Sequence, residues 1–151
     1  VTMEKVQQTF AEIECDIRQL MYRDTFFHDR HRYDEMIALF AEDAVYKSPF
    51  RGELHGRSRI LEVISQRPKA RLARHLLTNV VVDQEDENNA SSHCYLIAAA
   101  NDQGHPLSAA VPSVGAPLVG EHMMKFRREG GVWKISSKET IGIFAGQTAT
   151  F

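Results

Sequence analysis

The chain has 151 residues, 43% of them hydrophobic, with 18 Lys and Arg against 20 Asp and Glu, a formal net charge of −2. A chain of this length buries roughly 70% of its unfolded surface, enough for a core and an internal pocket. We therefore expect one domain over residues 1–151. The charge balance disfavours a nucleic-acid partner, which requires a basic surface to neutralise phosphates.

Other simple sequence features favour a protein of the cytoplasm. No apolar run approaches the ~20 residues that span a bilayer. Residues 1–5 lack the basic start and apolar stretch of a secretion signal. Cys15 and Cys94 are too few for a disulfide framework and do not have the spacing of a zinc site. We expect a cytoplasmic protein without a membrane segment.

The first third of the chain is predicted to be helical. Apolar residues recur there at steps of three and four, the stripe of a helix with one face on a core. They are Met3, Val6, Phe10, Ile13, Ile17, Leu20 and Met21. The stripe weakens after Met21, and a polar cluster follows at residues 28–32. A second, short helix is predicted over residues 33–40, because Asp34 and Glu35 suit its positive N-terminal end.

After residue 43 the apolar pattern is mostly that of strands. Residues 44–50 alternate and form the first predicted strand, whereas residues 57–67 return to helical spacing. Four longer strands follow over residues 72–83, 90–101, 118–128 and 132–143, and a turn at residues 129–131 joins the last two as a hairpin. Residues 101–118, rich in Gly, Pro, Ala and Ser, are predicted to form a loop over the sheet or at a subunit contact.

The order of these elements predicts the fold class. Helices first and antiparallel strands afterwards indicate an α+β protein rather than a wound β-α-β sheet. The predicted strands are long for a chain of 151 residues. This length favours a strongly curved sheet that wraps helices on one side and encloses a cavity.

Several short motifs occur in an order typical of one protein family. They are Asp29, Asp34 and the run at residues 39–46, then Gly56 ahead of a helix, then Arg74, His75 and Asn79, then Gly120, Phe126 and residues 131–135. Together they resemble a SnoaL-like domain of the nuclear-transport-factor-2-like superfamily, which includes scytalone dehydratase and ketosteroid isomerase. The resemblance implies a cystatin-like α+β barrel, in which a cone-shaped, curved antiparallel sheet wraps N-terminal helices around a mostly apolar cavity.

The resemblance also implies a catalytic pair, Asp29 and His75. Catalytic relatives carry an aspartate after the first helix and a histidine on the first long strand, and these two residues match those positions. A carboxylate bound to one imidazole nitrogen fixes the tautomer and leaves the other nitrogen as a base. Alternatively, Asp29 itself carries the proton and His75 polarises the substrate. In a purely structural interpretation, Asp29 only joins two helices and His75 is an ordinary buried histidine.

Six further residues are expected to line the cavity and bind a substrate: Tyr46, His122, Asp24, Ser48, Asn79 and Met124. Asn79 shares a predicted strand face with His75, and Met124 shares one with His122, although Met124 also suits the core. By resemblance, His122 and the hydroxyl of Tyr46 or Ser48 would orient a substrate oxygen. Asp24 departs from the family pattern, and its carboxylate either faces the cavity or is solvated.

The predicted function is a cofactor-independent lyase or isomerase, most concretely a dehydratase. Its substrate would be a hydrophobic, oxygenated small molecule such as a polyketide, aromatic or steroid-like compound. His28 and His31 have a spacing that can chelate a metal on a helix, but the resemblance implies a site without metal. The alternative is a non-catalytic ligand-binding protein, or an accessory subunit similar to dioxygenase small subunits.

A homo-oligomer, either a dimer or a trimer, is the expected assembly. In this fold the outer faces of two sheets commonly pair, and the apolar run at residues 98–100 offers such a surface. A hydrophobic small molecule is the other expected partner. Neither nucleic acid nor a membrane is expected to bind.

Overall fold

The computed structural model describes residues 7–102, 110 and 117–144. Its helices are α1 (Phe10–Asp29), α2 (Tyr33–Ile37) and α3 (Arg57–Ile64). Its strands are β1 (Phe40–Ser48), β2 (Gly52–His55), β3 (Leu72–Gln84), β4 (Asn89–Asn101), β5 (Leu118–Glu129) and β6 (Val132–Phe144). Met3 and Val6 of the predicted first helix, and most of the loop predicted between residues 101 and 118, lie outside the described residues.

Helix α1 begins at a capping box and continues beyond its apolar stripe. Thr9 Oγ1 accepts from the backbone N–H of Glu12 at 3.3 Å, and the Glu12 carboxylate accepts from the backbone N–H of Thr9 at 2.8 Å. The buried face consists of Ile13, Ile17, Met21, Asp24, Thr25 and Asp29. The second half of this face is polar although it is buried. The helix therefore carries carboxylates into the interior where its apolar pattern stops.

The six strands form one sheet in the order β2-β1-β6-β5-β4-β3, and the helices precede or interrupt its first strands. Neighbouring strands are antiparallel, except that β1 and β6 are parallel. The predicted α+β fold is confirmed, and the expectation of a wholly antiparallel sheet is wrong for this one pair. The predicted hairpin between β5 and β6 is present, with positive φ angles of 58° and 88° at Gly130 and Gly131.

Two differences from the predicted elements concern the region around β1. The second helix stops at Ile37 rather than residue 40, because β6 takes over the backbone pairing: the N–H of Ile135 donates to the carbonyl of Leu39 at 2.9 Å. Strand β2 was not predicted. It has four residues, of which only Leu54 is buried, so it is too short to show an alternating pattern.

Bulges in β3 and β6 change which side chains face inward. In β3 the register shifts between Thr78 and Val81, and in β6 it shifts between Ile135 and Ser137. A bulge inserts one residue, so the side chains beyond it exchange faces. The shift in β6 buries Lys138 instead of Ser137.

The outer face of the sheet exposes several apolar side chains. Leu76 is 55% exposed, Tyr95 50% and Ile97 38%, and Leu76 and Ile97 are paired across β3 and β4. The run at residues 98–100, expected on this outer surface, instead lines the internal cavity, and Ala98 is only 3% exposed. That expectation is wrong, because all three residues border the cavity and none of them is exposed: Ala98 is buried, and Ala99 and Ala100 are half-buried.

Candidate active site

The structure brings Asp29 and His75 into direct contact. Asp29 lies at the last residue of α1, and His75 lies on β3, which packs against that helix. His75 Nδ1 is 2.5 Å from Asp29 Oδ1, and the backbone N–H of His75 donates to Asp29 Oδ2 at 2.8 Å. Because a carboxylate only accepts hydrogen bonds, Nδ1 carries the proton of the neutral ring. The lone pair of the neutral imidazole is then on Nε2.

The imidazole of His75 borders a cavity of about 430 Å³. This volume lies within the range of ~300–1,000 Å³ that is usual for small-molecule sites. The predicted site residues that line it are Tyr46, Ser48, His75 and His122. Its apolar walls include Phe50, Leu96 and Leu118, so the chamber combines apolar surface with a few polar groups. Asp29 lies behind His75 and is 5% exposed.

Two residues expected in the cavity wall lie elsewhere. Asn79 is exposed and has a φ of 53° at the β3 bulge, which turns Val82 instead of Val81 inward. The interpretation of Asn79 as a cavity residue is therefore wrong, because an uninterrupted alternation was assumed. Met124 is 2% exposed and belongs to the hydrophobic core, not to the cavity lining. Its interpretation as a substrate-binding residue is also wrong, whereas the alternative core position is correct.

Asp24 forms a buried ion pair with Lys138 instead of facing the cavity. Asp24 is 1% exposed and Lys138 6%, and the lysine ammonium donates directly to Asp24 Oδ2. Burial by itself lowers the pKa of Lys138, but the charge and hydrogen bond of Asp24 outweigh it, and the pKa ends above its usual value. Lys138 is itself part of the cavity wall, 5.8 Å from the centre of the Tyr46 ring. The cavity wall therefore contains a lysine ammonium group whose counter-charge is Asp24.

Two further histidines of the site are held in the neutral form. His122 is 3% exposed, and burial followed by the charge of Lys138 lowers its pKa well below the usual value. Burial followed by the charge of Arg67 does the same to the pKa of His28. Within the part of the chain that the structure describes, Nδ1 of His122 has no hydrogen-bond partner. A neutral imidazole at this position can bind a substrate oxygen.

A metal ion is one conceivable occupant of this cluster. Potential ligand atoms of His28, Asp29 and His75 lie within 4.8 Å of one another. This group differs from the pair considered from the sequence, His28 and His31. However, both oxygens of Asp29 accept hydrogen bonds from His75, and Arg67 Nη1 lies 3.4 Å from His28 Nε2. A divalent cation would face this guanidinium at close range. The donor set therefore fits a hydrogen-bonded pair better than a metal centre.

The cavity lining includes basic residues and a histidine that were not among the predicted site residues: His28, Arg51, Arg67, Arg71 and Lys138. His28 could have been suspected, since it adjoins Asp29, and Lys138 could have been suspected because it follows the motif at residues 131–135 closely. The arginines could not, because they lie in connections and carry no periodic signal: Arg51 lies between β1 and β2, and Arg67 and Arg71 lie between α3 and β3. Their positions depend on tertiary packing.

The comparison with known families identifies the class of protein. The sequence profile of the SnoaL-like domain family matches residues 10–139. The chain belongs to this family, as its motifs predicted. No curated protein sequence matches it significantly.

Solved structures with the same fold cover most of the chain. A proposed scytalone dehydratase from Novosphingobium aromaticivorans has a TM-score of 0.72 at 21% identity, covering 93% of this chain and 90% of that one. The hexachlorocyclohexane dehydrochlorinase LinA-type3 from Novosphingobium barchaimii has a TM-score of 0.74 at 15% identity, covering 89% and 88%. An NTF2-like protein with a cystatin-like fold from N. aromaticivorans has a TM-score of 0.71 at 20% identity, covering 91% and 86%. These similarities confirm the predicted cystatin-like fold.

The helices give no indication of a membrane span. Among the described residues, none of them is both long and apolar enough to cross a bilayer.

Proposed function

We propose that this protein is a cofactor-independent lyase, most concretely a dehydratase, in which His75 is the general base and Asp29 its positioning partner. The observation that carries the proposal is the 2.5 Å contact between Asp29 Oδ1 and His75 Nδ1 at the wall of a cavity of about 430 Å³. Two structural neighbours of the same fold, one named a proposed scytalone dehydratase and one a dehydrochlorinase, support the proposal, because both names denote eliminations.

The reaction needs one proton acceptor and one proton donor. His75 Nε2 removes a proton from the carbon beside a substrate carbonyl, and the electron pair of that C–H bond forms the new double bond. The bond from the neighbouring carbon to its hydroxyl group breaks at the same time or afterwards. The departing oxygen takes the proton from the imidazolium, so that water leaves and His75 is again neutral. A positioned base of this kind contributes typically ~10²–10⁴-fold in rate.

The other cavity residues would stabilise the substrate carbonyl oxygen. As the α-proton leaves, negative charge develops on that oxygen, and Lys138 supplies a buried positive charge while Tyr46 and His122 supply polar groups. Ser48 Oγ accepts from the backbone N–H groups of Phe50 and Arg51 at 3.2 Å, which fixes its position. Its O–H remains available to donate to the same substrate oxygen.

A fused-ring β-hydroxyketone provides a direct test. 3-Hydroxy-α-tetralone loses water and tautomerises to α-naphthol, which is detected by its fluorescence. The wild type should accelerate this reaction, and His75→Gln should reduce the rate to the buffer background. His93→Gln, which changes an exposed histidine paired with Glu121, is the matched control and should retain activity. No acceleration by the wild type, or full activity of His75→Gln, would contradict the proposal. Migration of the double bond in a β,γ-unsaturated ketone would instead indicate an isomerase.

We also propose that the protein is a homodimer whose subunits pair through the outer face of the sheet. The exposed apolar residues Leu76, Tyr95 and Ile97 support this, because contiguous apolar surface on a protein commonly marks an interface. Light scattering should give the mass of a dimer for the wild type and of a monomer for Leu76→Glu. A monomeric wild type would contradict the proposal.

A further inference from the structure

The charges around the cavity are strongly unbalanced. Its wall contains four cationic side chains, Arg51, Arg67, Arg71 and Lys138, and no Asp or Glu among the described lining residues. Lys138 is paired with Asp24, and Arg71 is paired with Asp102 at 2.7 and 2.9 Å. The formal net charge of the whole chain is −2, so the positive cavity is not a consequence of composition.

Arg67 is the most deeply buried arginine of this group and has no acidic partner within the described residues. It is 7% exposed, and its Nη1 donates to the carbonyl of His28 at 3.0 Å and lies 3.4 Å from His28 Nε2. Burial lowers the pKa of Arg67, but a guanidinium remains charged at neutral pH. The charge of Asp29 acts on Arg67 from a distance, but Asp29 forms no ion pair with it, and both Asp29 oxygens are engaged by His75. A buried charge without a paired counter-charge is costly, and an anionic ligand would supply that counter-charge.

Arg51 provides a second cation without an acidic partner in the described part of the chain. Its Nη1 donates to the carbonyl of Val63 at 3.1 Å, and the side chain borders the same cavity as Arg67. The charges of both arginines lower the pKa of His28, which indicates that their fields meet at one place in the wall. Two planar guanidinium groups are suited to binding a carboxylate through paired hydrogen bonds.

His28 relates this cationic region to the proposed base. Its ring centroid lies 5.3 Å from that of His75, and its Nε2 faces Arg67. An anionic group at Arg67 would therefore be separated from His75 by one imidazole ring. The apolar lining of the cavity, which includes Leu96 and Leu118, would contact the hydrocarbon part of the same ligand.

From this arrangement we infer that the cavity takes a hydrophobic carboxylic acid of one or two rings, with its carboxylate bound by Arg67 and Arg51. The inference deepens the proposed function by naming the substrate class, and it depends on that function only for the position of the reacting carbon at His75. The carboxylate is a permanent charge of the ligand, distinct from the charge that develops on a carbonyl oxygen during the reaction.

Isothermal titration calorimetry with α-naphthoate and its neutral isostere α-naphthamide tests the inference without any turnover. The wild type should bind the acid about tenfold or more tightly than the amide. Arg67→Gln and Arg51→Gln should each lose this preference while keeping the affinity for the amide. Lys69→Gln, an exposed change in the same connection as Arg67, should behave as the wild type.

Each outcome of the titrations decides the matter. Equal affinities for acid and amide, retained preference in both arginine variants, or no binding of the acid at millimolar concentration would overturn the inference. Arg67 also contacts the end of α1 through the carbonyl of His28, so Arg67→Gln could fail to fold. Circular dichroism tests whether it folds, and if it does not, Arg51→Gln alone tests the inference. His75→Gln separates the two proposals. It should keep the preference for naphthoate even though it abolishes dehydration.

Discussion

Asp29 holds His75 at two points, accepting a hydrogen bond from the ring Nδ1 at 2.5 Å and another from the backbone N–H at 2.8 Å. The carboxylate therefore fixes the backbone of β3, the orientation of the imidazole and its tautomer together. Because both of its oxygens are used in this way, an amide cannot replace it without changing one of the two bonds.

Asp29→Asn should consequently disable the proposed base while leaving the fold intact. An asparagine that keeps the backbone bond through Oδ1 turns its NH₂ group toward Nδ1, which forces the ring proton onto Nε2. We expect the dehydration of 3-hydroxy-α-tetralone to slow by about 10²–10⁴-fold. Asp83→Asn, an exposed change on β3, is the control and should keep the wild-type rate. Equal rates for the two variants would mean that Asp29 does not act through His75.

The ion pair between Asp24 and Lys138 should show strong energetic coupling. Lys138→Met leaves the Asp24 carboxylate buried without a counter-charge, which we expect to lower the free energy of unfolding by about 3–5 kcal/mol. The double variant Asp24→Asn/Lys138→Met removes both charges and should recover much of this loss. Urea denaturation at neutral pH measures both values. A double variant less stable than Lys138→Met alone would contradict the assignment of a buried ion pair.

The neutral histidines predict a pH dependence of stability. The pKa values of His28 and His122 are depressed in the folded protein, mainly by burial, whereas in the unfolded chain they are about 6.5. As the pH falls below about 6.5, the unfolded chain therefore takes up protons before the folded chain does. These two histidines therefore do not reduce the free energy of unfolding above about pH 6.5. As the pH falls from there toward their folded-state pKa values, the free energy of unfolding decreases by up to about 1.4 kcal/mol per pH unit for each histidine.

His122→Gln isolates one of these contributions. The variant should lose stability less steeply than the wild type between about pH 7 and pH 5. His55→Gln changes an imidazole that is 68% exposed and should keep the wild-type slope. Urea unfolding at several pH values gives the slopes. Identical slopes for His122→Gln and the wild type would contradict a depressed pKa of His122, because they would mean that His122 takes up its proton at the same pH in the folded and the unfolded protein.

Gly120 should be irreplaceable for a steric reason. A Cβ atom on Gly120 would lie 2.4 Å from the carbonyl oxygen of Ile141, closer than real Cβ contacts. Gly120→Ala must therefore push β5 away from β6 beside His122, and we expect a loss of about 1–3 kcal/mol. Gly142→Ala is the matched control on the neighbouring strand, since its added Cβ would meet only the side chain of Leu118 at 3.7 Å. Equal thermal unfolding of both variants would contradict this account.

The sequence predicts those parts of the structure in which an apolar pattern or a family motif is present. The fold class, the long strands and the contact of Asp29 with His75 could be predicted, because alternation and motif order extend over most of the chain. The length of α1 beyond Met21 could not be predicted from periodicity, since its inward positions are Asp24, Thr25 and Asp29. A buried polar face has no apolar stripe.

The rest of the site depended on local irregularities and on tertiary packing. One inserted residue in β3 removes Asn79 from the cavity, and another in β6 brings Lys138 into it. Alternation cannot reveal a bulge, because it depends on pairing with the neighbouring strand. Arg67 was inaccessible to sequence reasoning for a similar reason: its burial depends on tertiary contacts such as its hydrogen bond to the carbonyl of His28 at the end of α1.

The most direct test of the central claim follows the proton itself. α-Tetralone has the carbonyl and the acidic C–H bonds of a dehydratase substrate but no leaving group, so it reports proton removal alone. In D₂O, followed by proton NMR, the wild type should exchange the hydrogens beside the carbonyl faster than buffer, Asp29→Asn should be much slower, and His75→Gln should match the buffer. Exchange by the wild type at the rate of buffer, or undiminished exchange by His75→Gln, would contradict the assignment of His75 as the base.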